Sequence, residues 1–283
     1  MMKHLALISL MLLLMVAMAN ASDVTCKSSY GDGKVVYKVA TGSPGELGLL
    51  KVLAEAFNAK HGTTMCWVKA GSGKSLKLLK AGQVDACMVH APAAEKLAVK
   101  DGWAVGRTLI GSNEFYIVGP KNDPAGISKA KTAADAYARI AKAKHPFMSR
   151  GDNSGTNKKE LAIWGKAGII PSGDWYIITK AFMMATLKQA NEINGYFMTD
   201  SSTWVAGKKE MGNLKVLFRG DPFLINTYHA LAMPNGAPNH ELAMKFINFL
   251  GSKDGQAIIE NYGKDLYGEG MYNDAEYAKQ YDH

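Results

Sequence analysis

The sequence predicts an α/β fold built as two lobes, and three observations carry that expectation. Short apolar runs alternate with longer helical ones, Gly/Ser turns join strands to the helices that follow, and two extended segments ending at Pro120 and Pro234 flank a self-contained middle third. Strand–loop–helix units repeated this way make a mostly parallel sheet.

In order, Val35–Ala40 reads as a strand, followed by a Gly/Ser turn and a helix from about Glu46 to Lys60. Residues 64–69 repeat the pattern, with a helix over 74–81, and Ala86–His90 enters a third helix after Ala91-Pro92. Residues 114–120 form a strand that ends in a break. The middle third has a helix near 133–144, strand Phe147-Met148, helix 156–167, a loop with Pro171, Gly173 and Trp175, a helix near 184–194 and strands over 195–198 and 214–218. Thr227–Pro234 is a second extended crossing, and two amphipathic helices, 240–250 and 255–262, close the chain. Residues 22–115 plus 230–283 are expected as one lobe and 116–229 as the other. A chain that crosses twice in this way holds its ligand between the lobes, where strand ends and helix starts converge.

The N-terminus reads as an export signal. Lys3 and His4 precede a run from Leu5 to Met18 that is apolar apart from Ser9, and Ala19-Asn20-Ala21 supplies a small-x-small cleavage site. This pattern is too short for a comfortable membrane span and marks residues 1–21 as a cleaved signal peptide. Lys+Arg number 33 against 25 Asp+Glu; without Lys3 the mature charge is 32 − 25 = +7. An excess of that sign suits an anionic ligand, while the lack of any block of like charges argues against nucleic acid. Cys26, Cys66 and Cys87 admit two readings: a disulfide, with Cys26–Cys66 the preferred pair, or small buried hydrophobes. The seven His are scattered without paired spacing, so no metal site and no cofactor is expected.

Function is most legible in residues 149–160. A turn of Gly151, Asp152, Asn153 and Gly155 opens a helix at about Thr156, and its free N–H groups and dipole attract negative charge. Arg150 beside them, with the hydroxyls of Ser149, Ser154 and Thr156, makes an anion cradle. Two loops of the first lobe have the same design: Thr41-Gly42-Ser43 before one helix and Gly71-Ser72 before the next. Glycine there lets backbone approach a ligand closely. Three other patterns fail on inspection. Gly73-Lys74-Ser75 ends like a nucleotide P-loop, but the required first glycine is Val68; Gly151–Gly155 matches no nucleophile motif; and Arg150-Gly151-Asp152 is only a tripeptide. Asp152, Asp174 and Asp200 could be imagined as acids but suit turn or cap roles better, and no nucleophile–base pair stands out, so no enzyme is expected.

These residues resemble the tungstate-binding proteins of Tup-type ABC importers, which are type II periplasmic solute-binding proteins. The resemblance spans nearly the whole mature chain, through Val89–Glu95, Val118–Pro120 with Asp123–Ile127, Ser149–Glu160, Lys166–Ile169 with Gly173–Tyr176, and Ala185–Leu187. It implies a monomeric periplasmic receptor that takes a small oxyanion such as tungstate or molybdate in its interlobe cleft and delivers it to an ABC permease. The implied site comprises Thr41, Gly42, Ser43, Gly71, Ser72, Arg150, Ser154, Gly155 and Thr156. The chain departs from the family pattern at Ala40–Ser43, Asn157, Phe182–Met184 and Thr199–Thr203. The same receptor holding a different anion, such as a small organic acid walled by Phe182 and Met184, therefore stands beside the oxyanion reading.

Overall fold

The computed structural model describes residues 24–282; the expected signal peptide, residues 1–21, lies outside them. The strands are β1 (Ser28–Tyr30), β2 (Val35–Thr41), β3 (Thr63–Lys69), β4 (Ala86–Val89), β5 (Val105–Pro120), β6 (Phe147–Ser149), β7 (Tyr176–Ile178), β8 (Tyr196–Asp200), β9 (Leu214–Phe218) and β10 (Ile225–Ala232). Between and after them run helices α1 (Ser43–Glu46), α2 (Leu49–His61), α3 (Ser72–Lys80), α4 (Pro92–Lys100), α5 (Ala133–Ala143), α6 (Gly155–Lys166), α7 (Met183–Glu192), α8 (Ser201–Gly207), α9 (His240–Gly251), α10 (Lys253–Asn261), α11 (Lys264–Tyr267) and α12 (Ala275–Ala278).

The molecule is α/β and two-lobed. Strand order is β1-β3-β2-β4-β10-β5-β8-β6-β7, with β9 also on β5. β5 is the shared rail: its first half pairs with β10, from Val105 to Glu114, and its second half with β8 and β9, from Phe115 to Pro120. Pairing is parallel where a helix makes the crossover, in β2–β3, β2–β4, β6–β7 and β6–β8. It is antiparallel along β5 and β10, because those strands carry the chain out and back. The sheet is thus more mixed than the repeated strand–helix pattern suggested.

Side-chain alternation puts a core on each face of the first lobe. Tyr37 and Val39 of β2 pack under α2 and α9, with Leu50, Leu53, Phe57, Phe246 and Leu250. Ala40, on the opposite face, joins Val68, Leu76, Leu79 and Cys87. The second lobe has its own core, drawn from residues 115–224 around Tyr137, Phe147, Ile163, Trp164 and Phe197. Val205 of α8 is the exception from this stretch, buried in the first lobe's core. Cys26 and Cys66 form a disulfide that ties the segment before β1 to β3, while Cys87 is a buried free thiol. At the other end Asp282 receives Arg107 Nη2 at 2.8 Å, and Arg107 Nε donates to the buried Glu95 at 3.2 Å, pinning the C-terminal segment against β5.

Several elements differ from expectation for local reasons. The helix read from Glu46 to Lys60 is two helices, because Gly48 sits at φ 93°, in the left-handed region glycine favours. β5 starts at Val105 rather than near Glu114; Gly106, Gly111 and the buried polar pair Ser112-Asn113 disguise its first half. α8 follows directly on β8, capped by the Asp200 carboxylate, which accepts from Thr203 N at 2.8 Å.

Candidate functional site

Four helix starts meet between the lobes. The N-cap residues of α1, α3, α6 and α7 are Gly42, Gly71, Ser154 and Phe182. All four line one cavity, together with Thr41, Ser43, Pro44, Ser72, Met88, His90, Arg150 and Tyr228. The first turn of a helix leaves N–H groups without intrahelical partners, and the summed dipoles place partial positive charge there. The cavity is tightly closed: only about 10 Å³ of it can hold the centre of a water-sized molecule.

Of the nine residues expected from sequence, seven line this cavity: Thr41, Gly42, Ser43, Gly71, Ser72, Arg150 and Ser154. Gly155 lines the neighbouring groove instead, with Ala91, Pro92, Lys158 and Phe223. Thr156 lines neither; its Oγ1 is buried and without a hydrogen-bond partner. Ser149, grouped with the cradle from sequence, belongs to the second lobe's interior. Its hydroxyl donates to Glu160 at 2.7 Å and lies 3.0 Å from the Tyr176 hydroxyl, whose proton goes to Glu160 at 2.6 Å. Four lining residues were not assigned to the site from sequence, Pro44, Met88, His90 and Tyr228; Phe182, expected only as a wall of the organic-acid reading, lines the cavity, whereas Met184 does not. The start of α7 carries no Gly/Ser signature, and Met88, His90 and Tyr228 reach the site through the β4–β10 pairing, which short-range pattern does not reveal.

Arg150 is 4 % exposed. Its Nη2 donates to Asp152 at 2.5 Å and its Nε to the carbonyl of Ala181 at 3.2 Å. A guanidinium has five N–H groups, so three remain without a partner in the protein. The hydroxyls divide by role. Thr41 spends its proton on the carbonyl of Met88 at 2.9 Å and is wall rather than donor. Ser72 Oγ accepts from His90 N, and Ser154 Oγ caps α6 by accepting from Asn157 N, so each retains a proton to give.

His90 joins the cavity to the crossing strands. Burial holds its imidazole down at about 4, with Arg150 and Lys159 reinforcing the shift, so the ring is neutral near pH 7. Its Nδ1 lies 2.8 Å from Asn226 Oδ1, and Asn226 Nδ2 donates to Asn113 Oδ1 at 2.8 Å. Asn113 in turn donates to Ser202 at 3.0 Å, next to Asp200. Asn113 and Asn226 are partners in the β5–β10 register, so this buried polar chain runs through both crossings.

The glycines mark where the lobes touch. A Cβ on Gly73 of α3 would stand 2.6 Å from the carbonyl oxygen of Asn153, and one on Gly155 of α6 would meet His90 at 2.4 Å. No group of three or more His, Cys, Asp or Glu residues is placed to hold a metal ion among the described residues. Among them, too, no helix is long and apolar enough to cross a membrane.

Comparison with known proteins follows the same lines. The PBP superfamily domain matches residues 28–254. The tungstate-binding protein TupA of Peptoclostridium acidaminophilum is 34% identical over 245 residues, 85% of this chain and 85% of that protein. The tungstate-binding protein TupA of Campylobacter jejuni is 35% identical over 212 residues, 72% of this chain and 78% of that one. The crystal structure of the tungstate ABC transporter from Geobacter sulfurreducens shares 40% identity with a TM-score of 0.73, covering 82% of this chain and 100% of that one.

Proposed function

Because this chain belongs to the PBP superfamily and, within it, to the family of TupA proteins, we propose that it is the solute-binding receptor of an ABC importer and takes a small oxyanion of the tungstate or molybdate class. The observation that carries the reading is the meeting of four helix starts around the buried Arg150. Such an arrangement replaces an anion's water shell with N–H and O–H donors while keeping a full positive charge in contact with it. Arg150 would supply that charge, Ser43 and Ser72 hydroxyl donors, and the loops at Gly42, Gly71 and Ser154 backbone N–H groups. Gly155 and Thr156 would complete the start of α6, where the unpartnered Thr156 hydroxyl gains an acceptor.

The ligand closes the cleft by binding the closed arrangement better than the open one. The lobes we propose are residues 22–115 with 230–283, and residues 116–229; the separate core over 115–224 supports this division. The protein is exported to the periplasm by cleavage after residue 21, acts as a monomer without cofactor or catalytic chemistry, and hands its anion to a membrane permease. A small organic acid is the second reading, favoured by the carbon walls of Pro44, Met88 and Phe182.

Isothermal titration of residues 22–283 with tungstate, molybdate, sulfate and phosphate tests the proposal. One-site binding of tungstate or molybdate is expected; heat with none of the four sinks the oxyanion reading, and a carboxylate found in native mass spectra of the purified protein favours the second.

A further inference from the structure

One side chain of the cavity wall also holds the lobes together. Phe182 N-caps α7 through its backbone, and its ring lines the cavity beside Arg150. Two cations lie against that ring: Arg150 Cζ at 5.4 Å from the centroid and Lys69 Nζ at 4.3 Å. Arg150 is fixed to the same stretch of chain, since its Nε donates to the carbonyl of Ala181. Lys69 comes from the opposite lobe. It ends β3, pairs in register with Thr41, and stands just before the Gly71-Ser72 loop. Glu46 of α1 steadies its ammonium from the other side at 3.0 Å. The ring is therefore a bridge between lobes, placed where two cavity loops of one meet the buried cation of the other.

We infer that Phe182 is the gate of this receptor and a determinant of what it accepts, an inference that rests on the oxyanion reading above. A cation over an aromatic face is attracted by the ring's negative quadrupole, more strongly when water is excluded. Opening the cleft would part Lys69 from the ring, so the contact weights the equilibrium toward the closed form and lowers the conformational cost that a ligand must meet. With the contact made, the ring covers one side of Arg150 with carbon. It carries no net charge and so leaves the guanidinium's attraction for an anion intact while excluding the water that would screen it. Such a wall favours a compact anion whose oxygens can all face donors, since the cavity is small. A larger carboxylate has to displace the ring and break the bridge to Lys69.

The test is isothermal titration of wild type, Phe182→Leu, Phe182→Ala, Lys69→Met and the Lys69→Met/Phe182→Leu double variant with tungstate, molybdate and citrate. Leucine keeps apolar bulk and removes the π face; methionine keeps the stem of Lys69 and removes its charge. The bridge predicts about tenfold weaker oxyanion binding in each single variant, a double variant no weaker than either, and citrate binding gained in Phe182→Ala. Singles that bind like wild type, or losses that multiply in the double variant, overturn the gate. Lys69 is partly exposed, so its variant reports on the gate even if the Phe182 variants melt early in circular dichroism. If wild type binds neither oxyanion, the functional reading fails and the gate with it; if wild type binds and the variants match it, only the gate fails.

Discussion

Among the described residues that line the cavity, Arg150 alone carries a full positive charge, and it is paired with Asp152. Arg150→Met removes the charge and the three N–H groups without a partner in the protein, leaving backbone and hydroxyl donors alone. Hydrogen bonds to charged groups contribute about 1.5–3 kcal/mol each, so oxyanion affinity should fall about 100-fold or more in titration calorimetry. The partner carboxylate of Asp152 is partly exposed, so the ligand-free melting temperature should change little. His90 makes a different prediction, in pH. Its folded pKa, about 4, lies below the ordinary 6.5, so between those values the unfolded chain binds the proton and the folded one does not. Stability present above pH 6.5 is therefore lost as pH falls toward 4, by up to ~3 kcal/mol. Glu160 and Asp200, whose carboxyls burial pushes up, slope the other way. Urea unfolding of wild type against His90→Gln across pH 4–7 isolates the histidine: the gap in stability should widen with rising pH in favour of wild type, and a constant gap would contradict the assignment.

At the scale of elements, short helix starts rather than long surfaces build the site, and they work only if the lobes approach closely. Gly73 tests this. A methyl there meets the backbone carbonyl of Asn153, which has no rotamer to yield with. Gly73→Ala should hold the cleft ajar, weakening oxyanion binding by tenfold or more in calorimetry while leaving the ligand-free melting temperature within a few degrees. Equal loss of stability would instead place the clash inside one lobe's own packing. The sequence was readable where an element has a local cause. β2, β3, β4 and β9 are apolar or β-branched runs, and α3 and α6 follow Gly/Ser loops, so those elements were legible, and with them that Gly71, Ser72, Arg150 and Ser154 stand at helix starts. Elements without such a cause were missed. β7 is three residues long, and the first half of β5 carries Arg107, Ser112 and Asn113. α7 itself was read, near 184–194 against the observed Met183–Glu192, but its start is capped by Phe182, whose side chain makes no cap hydrogen bond, so it carried no anion-loop signal and Phe182 was expected only as an apolar wall.

On the scale of the whole molecule, β5 and β10 are both the connection between lobes and the route from the site to the second lobe. Their buried contact is polar, Asn113 against Asn226, with His90 at one end and Ser202 and Asp200 at the other. Asn226→Leu fits the volume but strands Asn113 Oδ1 and His90 Nδ1, and each buried group left unpaired costs about 1–3 kcal/mol. Urea denaturation should show a loss of roughly 3 kcal/mol; an unchanged midpoint would mean the network contributes nothing to the crossing. The central claim is more specific than any of these effects: an oxyanion sits where the starts of α1, α3, α6 and α7 meet Arg150. Crystals grown with tungstate and measured at a tungsten absorption edge test it most directly. The expected anomalous map has one dominant peak within reach of the Arg150 guanidinium, Ser72 Oγ and the N–H groups near Gly42 and Ser154; no peak there, or a dominant one elsewhere, would contradict the claim.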